Sequence, residues 1–381
     1  MMNDSVYINR LSAFFPNRPV GNDEMEQYIG LVNEKSSLAK RLVLSKNGIK
    51  RRYYALDKSG QVTHTNAVMA ANAVRGLLDG ELTLDKIDLL SCGTASPEQV
   101  IPSHGVMVHG ELKGGKHTEV VSFAGSCCTG MQALKYAYYA TLAGDAENAV
   151  CVASERLSAW MTARYFEKES ELINRLGKQP VLAFEKEFLR WMLSDGSVAV
   201  LLQRRPPENA LSYRIEWIEL TSFANEVETC MYAGGDKNEK GEFLGWTQFP
   251  EKEWLDRSLF SLKQDTRLLD HYIVQLGGRF LREIAKKRNF DPSSVDWFMP
   301  HLSSMYFASK IEEELKAYGY DIPGEKWFVN LPETGNVASV SAFAMLDDLK
   351  RSGRAQRGDR ILVMVPESAR FSYAYALLTV C

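Results

Sequence analysis

Neither sign of charge dominates this chain. In 381 residues, 45 Lys and Arg stand against 48 Asp and Glu, a formal net charge of −3. A phosphate backbone demands a concentrated basic surface, so nucleic acid is not an expected partner. Long apolar runs are missing too. No uncharged stretch approaches the ~20 residues that cross a bilayer, and Met1 to Tyr7 has no basic segment leading into an apolar core. The expectation is a cytoplasmic protein with no membrane partner. Cysteine is sparse: Cys92, Cys127, Cys128, Cys151, Cys230 and Cys381 include no C-x-x-C pair, and a chain this size needs no disulfide staples. Reduced thiols are the default. The six histidines form no H-E-x-x-H or similar cluster, so no metal is expected. What remains, 45% hydrophobic and 24% charged, is a globular balance with length for two fused halves.

One stretch organises the rest. Val120-Val121-Ser122-Phe123 reads as a short buried strand and Ala124 to Cys127 as a turn of small residues. From Thr129 a helix carries Met131, Leu134, Tyr138 and Leu142 on one face and is closed by Gly144. Cys128 thus sits at a helix N-terminus, where free N–H groups and the helix dipole favour a thiolate. Small neighbours let a substrate carbonyl approach the backbone, and the cysteine's own N–H can help hold an oxyanion. The bland reading is that Cys127 and Cys128 are small core hydrophobes.

Around this stretch the order is β-α-β. A helix spans about Thr65–Leu78, Ile87–Thr94 is a strand, a helix lies near Gly105–Leu112, and Ala149–Ala153 is a strand. Such alternation implies an α/β fold with a parallel sheet covered on both faces. An aromatic and charged insertion at about 158–192 follows, with Trp160, Tyr165, Phe166, Phe184, Phe188 and Trp191, and is either a pocket wall or an ordinary helical excursion. After Arg205-Pro206-Pro207 the pattern begins again. At a constant offset of 208, Ile87-Asp88-Leu89-Leu90 falls on Val295-Asp296-Trp297-Phe298, the strand Val120–Phe123 on Phe328–Leu331, and Cys128 on Asn336. With four further residues of loop, Glu155 matches Glu367. Two copies of one unit, 1–205 and 206–381, are therefore predicted. If they pack about a pseudo-twofold axis, Cys128 and Asn336 meet at equivalent helix starts, with His301 at the end of a neighbouring strand. A thiol, an imidazole and an amide at one place is a catalytic constellation.

Cys128-Thr129-Gly130-Met131, Pro300-His301 and Gly335-Asn336, with Asn47-Gly48-Ile49 to Arg52 and Ser194-Asp195-Gly196, resemble the motifs of the thiolase-fold condensing enzymes. The likeness is to the β-ketoacyl-carrier-protein synthase III group and covers essentially the whole chain. It implies a five-layered αβαβα homodimer with a Cys-His-Asn triad. Cys128 would carry an acyl thioester, while His301 and Asn336 would bind the second thioester carbonyl and stabilise its enolate. It also implies no resident cofactor, the acyl groups arriving on the phosphopantetheine of acyl carrier protein or on coenzyme A.

Three departures refine the resemblance. Leu42 and Lys46 stand where initiating synthases have a tryptophan and an arginine for adenine, which favours carrier-protein substrates. Pro366-Glu367-Ser368-Ala369-Arg370-Phe371-Ser372 replaces a glycine-rich loop; Ser368 or Ala369 would supply an oxyanion N–H, and Arg370 would either orient substrate or pair with Glu367. Glu155 replaces an aspartate, and is either a general base or a structural acid. Together with the double cysteine, these features resemble the bacterial ketosynthase-cyclases of dialkylresorcinol and stilbene biosynthesis. The resemblance implies that a β-ketoacyl thioester joins a second, often α,β-unsaturated, acyl thioester and that Glu155 assists closure to a cyclohexanedione. A simple synthase III using malonyl-carrier protein, and a non-catalytic partner subunit, are the alternatives. Lys286-Lys287-Arg288 is either a carrier-protein docking surface or a solvated helix end.

Overall fold

Leu89–Thr94 and Ala149–Glu155 are apolar or small almost throughout and are buried at every position, as strands covered on both faces must be. The computed structural model describes residues 5–166 and 188–381; much of the expected insertion, at 167–187, lies outside the described residues. Nine strands form one mixed sheet in the order Trp297–Pro300, Arg360–Glu367, Ser372–Val380, Tyr213–Ser222, Tyr7–Phe14, Gly196–Gln203, Ala149–Glu155, Leu89–Thr94 and Glu119–Ala124. Leu89–Thr94 runs parallel to both of its neighbours, and Trp297–Pro300 runs parallel to Arg360–Glu367. The N-terminal and C-terminal groups of strands join through only two residue pairs, Tyr7 with Arg214 and Ile8 with Tyr213.

The period of two along each strand sorts side chains between layers. Leu90 and Cys92 lie on the strand packed by the helix His104–Leu112 and, with Val108 of that helix, belong to the outer core. Leu89 faces the other way, into the larger core that holds Met131 and Leu134. The helix Thr129–Ala143 packs on Leu89–Thr94 and Ala149–Glu155 and reaches across to Tyr213–Ser222. Its counterpart Ser341–Ser352 packs on Trp297–Pro300 and Arg360–Glu367 and reaches across to Tyr7–Phe14. Helices Thr266–Arg288 and Tyr306–Ala317 pack together, the former on Arg360–Glu367 and Ser372–Val380. The layer order is therefore helix, sheet, helix, sheet, helix, the α/β thiolase fold, with the two sheets running into one at Tyr7–Phe14.

Several local readings need adjustment. Thr65 is the N-cap, accepting from the Val68 N–H, so its helix is Asn66–Arg75. Gly144 closes its helix at φ 87 in the left-handed region. The expected strand at Phe328–Leu331 is reduced to one parallel bridge between Trp327 and Phe298, because Leu331–Thr334 has already turned helical. Among the described residues no helix is long and apolar enough to cross a membrane.

Candidate active site

Two central helices can begin side by side only if their backbones approach closely. Gly130 makes that possible: a Cβ there would lie 2.4 Å from the Ser339 carbonyl oxygen. Gly335 does the same one residue before Asn336. It sits at φ 71, and a Cβ would lie 2.8 Å from that of Ser194, so glycine is required for both conformation and space. The Asn336 N–H then donates to the Met192 carbonyl and the Ser194 N–H to the Asn336 carbonyl, each at 2.9 Å. The Asn336 side-chain oxygen accepts from the Ala338 N–H at 2.9 Å, which leaves Nδ2 as the end available to donate. His301 extends the strand Trp297–Pro300 and is fixed by its N–H to the Met364 carbonyl at 2.7 Å. It is buried, its Nδ1 has no hydrogen-bond partner among the described residues, and burial pushes its imidazole down to about 4. It is neutral at physiological pH.

His301, Asn336, Ser368, Ala369 and Cys127 line one cavity of ≈ 170 Å³, together with Trp160, Leu189, Leu193, Met231, Leu269 and Ile273. The predicted imidazole, amide and C-terminal turn are thus brought together. The cysteine facing them is Cys127. Cys128 is fully buried behind the wall, with Sγ 3.4 Å from the Val365 carbonyl and its N–H donating to Glu367 Oε2 at 3.0 Å. The expected thiolate is corrected by this burial: desolvation, then the charge of Glu367 and then Cys127, hold the Cys128 thiol well above its ordinary value. The helix dipole is outweighed. Burial, followed by Glu367, likewise pushes Cys127 up to about 12.

Glu155 does not line this cavity. It accepts from Ser96 Oγ at 2.6 Å, from the Ala95 N–H at 2.9 Å and from the Ser339 hydroxyl. Burial nevertheless pushes it up to about 7. Its place is that of a tie between the start of the C-terminal helix and the Ala95 loop. Arg370 is a second correction: it is exposed and donates from Nε to the Val227 carbonyl at 3.1 Å, away from both Glu367 and the cavity. The turn itself is anchored by Gln264 Nε2 donating to Ser368 Oγ at 2.9 Å and by the Cys230 N–H donating to the Ala369 carbonyl at 2.9 Å.

Leu42 and Lys46 line an adjoining cavity of ≈ 350 Å³ with Arg267 and Tyr306, and Leu269 lines both cavities. A further cavity of ≈ 730 Å³, beside Glu98, Arg156 and Arg164, holds none of the predicted site residues. Lys287 and Arg288 are engaged by Glu219, at 3.0 and 2.7 Å, so two of the three basic residues serve an internal ion pair. Sequence reasoning missed two groups. Cys127 was weighed as a core residue and as half of the double cysteine, and Glu367 as the counterpart of Glu155 and a partner for Arg370, neither as lying at the cavity or the nucleophile. The alternation of Pro366, Glu367 and Ser368 was the available signal, since it turns Glu367 to the face opposite its neighbours.

Comparison with known proteins agrees with this architecture. Residues 285–378 match the family description "3-Oxoacyl-[acyl-carrier-protein (ACP)] synthase III C terminal". The β-ketoacyl-[acyl-carrier-protein] synthase III of Xanthomonas oryzae pv. oryzae is 23% identical over 368 residues, covering 96% of this chain and 95% of that protein. Among solved structures, AbyA1, a tetronic acid condensing enzyme, has a TM-score of 0.74 at 19% identity, covering 98% of this chain and 99% of that one. Xanthomonas campestris OleA, solved with lauric acid and lauroyl-CoA, has a TM-score of 0.73 at 19% identity over 98% and 99%. The fold is that of the thiolase-fold condensing enzymes. Within it, the chain is similar to synthase III proteins over almost its whole length.

Proposed function

We propose that the protein is a carbon–carbon bond-forming acyltransferase of the ketosynthase type, and that it acts as a ketosynthase-cyclase. The observation that carries the condensing step is the convergence of a cysteine-bearing helix start, neutral His301 and Asn336 on one largely apolar cavity. Cys128 takes the acyl group once its side chain turns from the Val365 carbonyl toward the cavity. A covalent acyl-enzyme divides the condensation into two easier steps. His301 and Asn336 Nδ2 then donate to the thioester carbonyl of a β-ketoacyl partner, where enolate charge develops. The joined chain closes in the same cavity to a cyclohexanedione precursor of a resorcinol or stilbene.

Acyl carrier protein delivers the thioesters, and the cavity of Leu42, Lys46 and Arg267 offers apolar wall and cations suited to a phosphopantetheine arm. A homodimer is part of the proposal. Glu119–Ala124 is an edge strand, and Val100 and Ile101 near it are 82% and 85% exposed; a second copy would cover both.

The position of Glu155 outside the cavity favours a second reading, a simple synthase III that releases a linear β-ketoacyl product. Intact-protein mass spectrometry with an acyl-carrier thioester, then a β-ketoacyl-carrier thioester, separates them by the released product. C127A and C128A run in parallel. An adduct lost only in C128A supports the assignment; one lost only in C127A moves the nucleophile to the cavity-facing thiol. No adduct in the wild-type chain overturns the enzymatic reading in favour of a non-catalytic partner subunit.

A further inference from the structure

A buried carboxylate held against the backbone of a reactive cysteine is an unusual neighbour for a thiol that must ionise. Glu367 ends the strand Arg360–Glu367, opposite Ser372 across the hairpin, and its Oε2 accepts the N–H of Cys128 at 3.0 Å. It is buried, and among the described residues no cation offsets its charge; burial raises it, and the N–H of Cys128, the hydroxyl of Ser372 and the N–H of Ser126 pull it back only in part. The titratable groups that interact with it are Cys127 and Cys128, and Tyr373 adjoins the latter. The other buried groups near the cysteines are poorly suited to accept a proton. His301 is held down to about 4, and Glu155 is occupied by Ser96, Ala95 and Ser339.

We propose that Glu367 accepts the thiol proton of Cys128 during acyl loading. This rests on the acyl-enzyme reading above. As Sγ forms its bond to the thioester carbonyl carbon, its proton passes to the Glu367 carboxylate. The donor's C–S bond then breaks with its electron pair on the departing thiolate, which takes that proton from Glu367. Atoms and charge balance without an oxidant or reductant. Movement of the carboxylate off the Cys128 N–H also releases that donor for the developing oxyanion.

The test compares wild type, E367Q and E367D in single-turnover acylation by an acyl-carrier thioester, read by intact mass, alongside the pH profile of iodoacetamide alkylation. General-base assistance contributes about 10²–10⁴-fold. Acylation should therefore fall at least ~100-fold in E367Q and recover partly in E367D. In E367Q the alkylation midpoint should move to lower pH, because a negative charge has been removed beside the thiol. A residue that only supports packing would not lower that midpoint while slowing acylation. Unchanged or faster acylation in a folded E367Q, checked by its thermal transition, overturns the proposal and leaves the carboxylate as a plug on the N–H. Wild-type acylation in the same experiment shows separately whether the acyl-enzyme reading stands.

Discussion

Glu155 and Glu367 end equivalent strands in the two halves, and each reaches across to the beginning of the other half's central helix. Glu155 binds the hydroxyl and N–H of Ser339, and Glu367 binds the N–H of Cys128. Their surroundings differ. Glu155 has hydroxyl donors from both halves as well as a main-chain N–H, whereas Glu367 lies beside two thiols and no cation among the described residues. A carboxylate held by hydroxyls from both halves serves as a tie; its twin, held by two main-chain N–H groups and the Ser372 hydroxyl, lies next to the proposed nucleophile. Under the proposal for Glu367, two matching strand ends keep one acid structural and give the other chemistry through the groups that surround each.

That contrast can be broken in several ways. The largest effect is expected from H301A and N336A, which should lower condensation by about 10²–10³-fold each while leaving the fold intact, since removing one preorganised oxyanion donor costs about that much; steady-state kinetics with a β-ketoacyl partner checks it. Next comes G130A. A methyl 2.4 Å from the Ser339 oxygen forces the two helix starts apart, and overpacking of this kind costs about 1–3 kcal/mol, readable in urea melts. E155A should cost at least as much, because it strands several buried donors at about 1–3 kcal/mol apiece; E367A should lose less stability and more acylation rate. Equal stability losses would remove the distinction between tie and base.

The pH dependence gives a subtler test. Glu155 is raised in the folded chain to about 7 from an ordinary value of 4.5. The native state therefore holds a proton that the unfolded chain has released. The stability it contributes is fully present below about pH 4.5 and is lost as pH rises through 7. The difference in urea stability between wild type and E155Q should change across that window and be flat above it. The smallest effect is expected from R370A, whose exposed side chain reaches only the Val227 carbonyl; condensation should stay within about twofold, as surface substitutions usually do little.

Much of this arrangement was legible in residue order alone. Buried strands announce themselves by apolar runs, helix ends by Thr65 and Gly144, and close backbone approach by glycines in Cys128-Thr129-Gly130 and Gly335-Asn336, because each follows from local sterics. The repeat placed Cys128 and Asn336 at comparable points of two units, with His301 at the end of a neighbouring strand, before any packing was known. The strand expected at Phe328–Leu331 was over-read, because pairing there comes down to a single bridge between Trp327 and Phe298, a matter of register rather than of local composition.

What the sequence determined by itself was therefore the menu of elements and the positions of the chemistry-bearing side chains along them, which short-range periodicity and turn sterics control. Only the tertiary structure decided which of two adjacent thiols faces the cavity, that Arg370 turns outward, and that Glu367 rather than Glu155 touches the cysteine. Those outcomes depend on how strands from distant parts of the chain align and on how much water burial removes. Neither quantity is carried by any local pattern of residues.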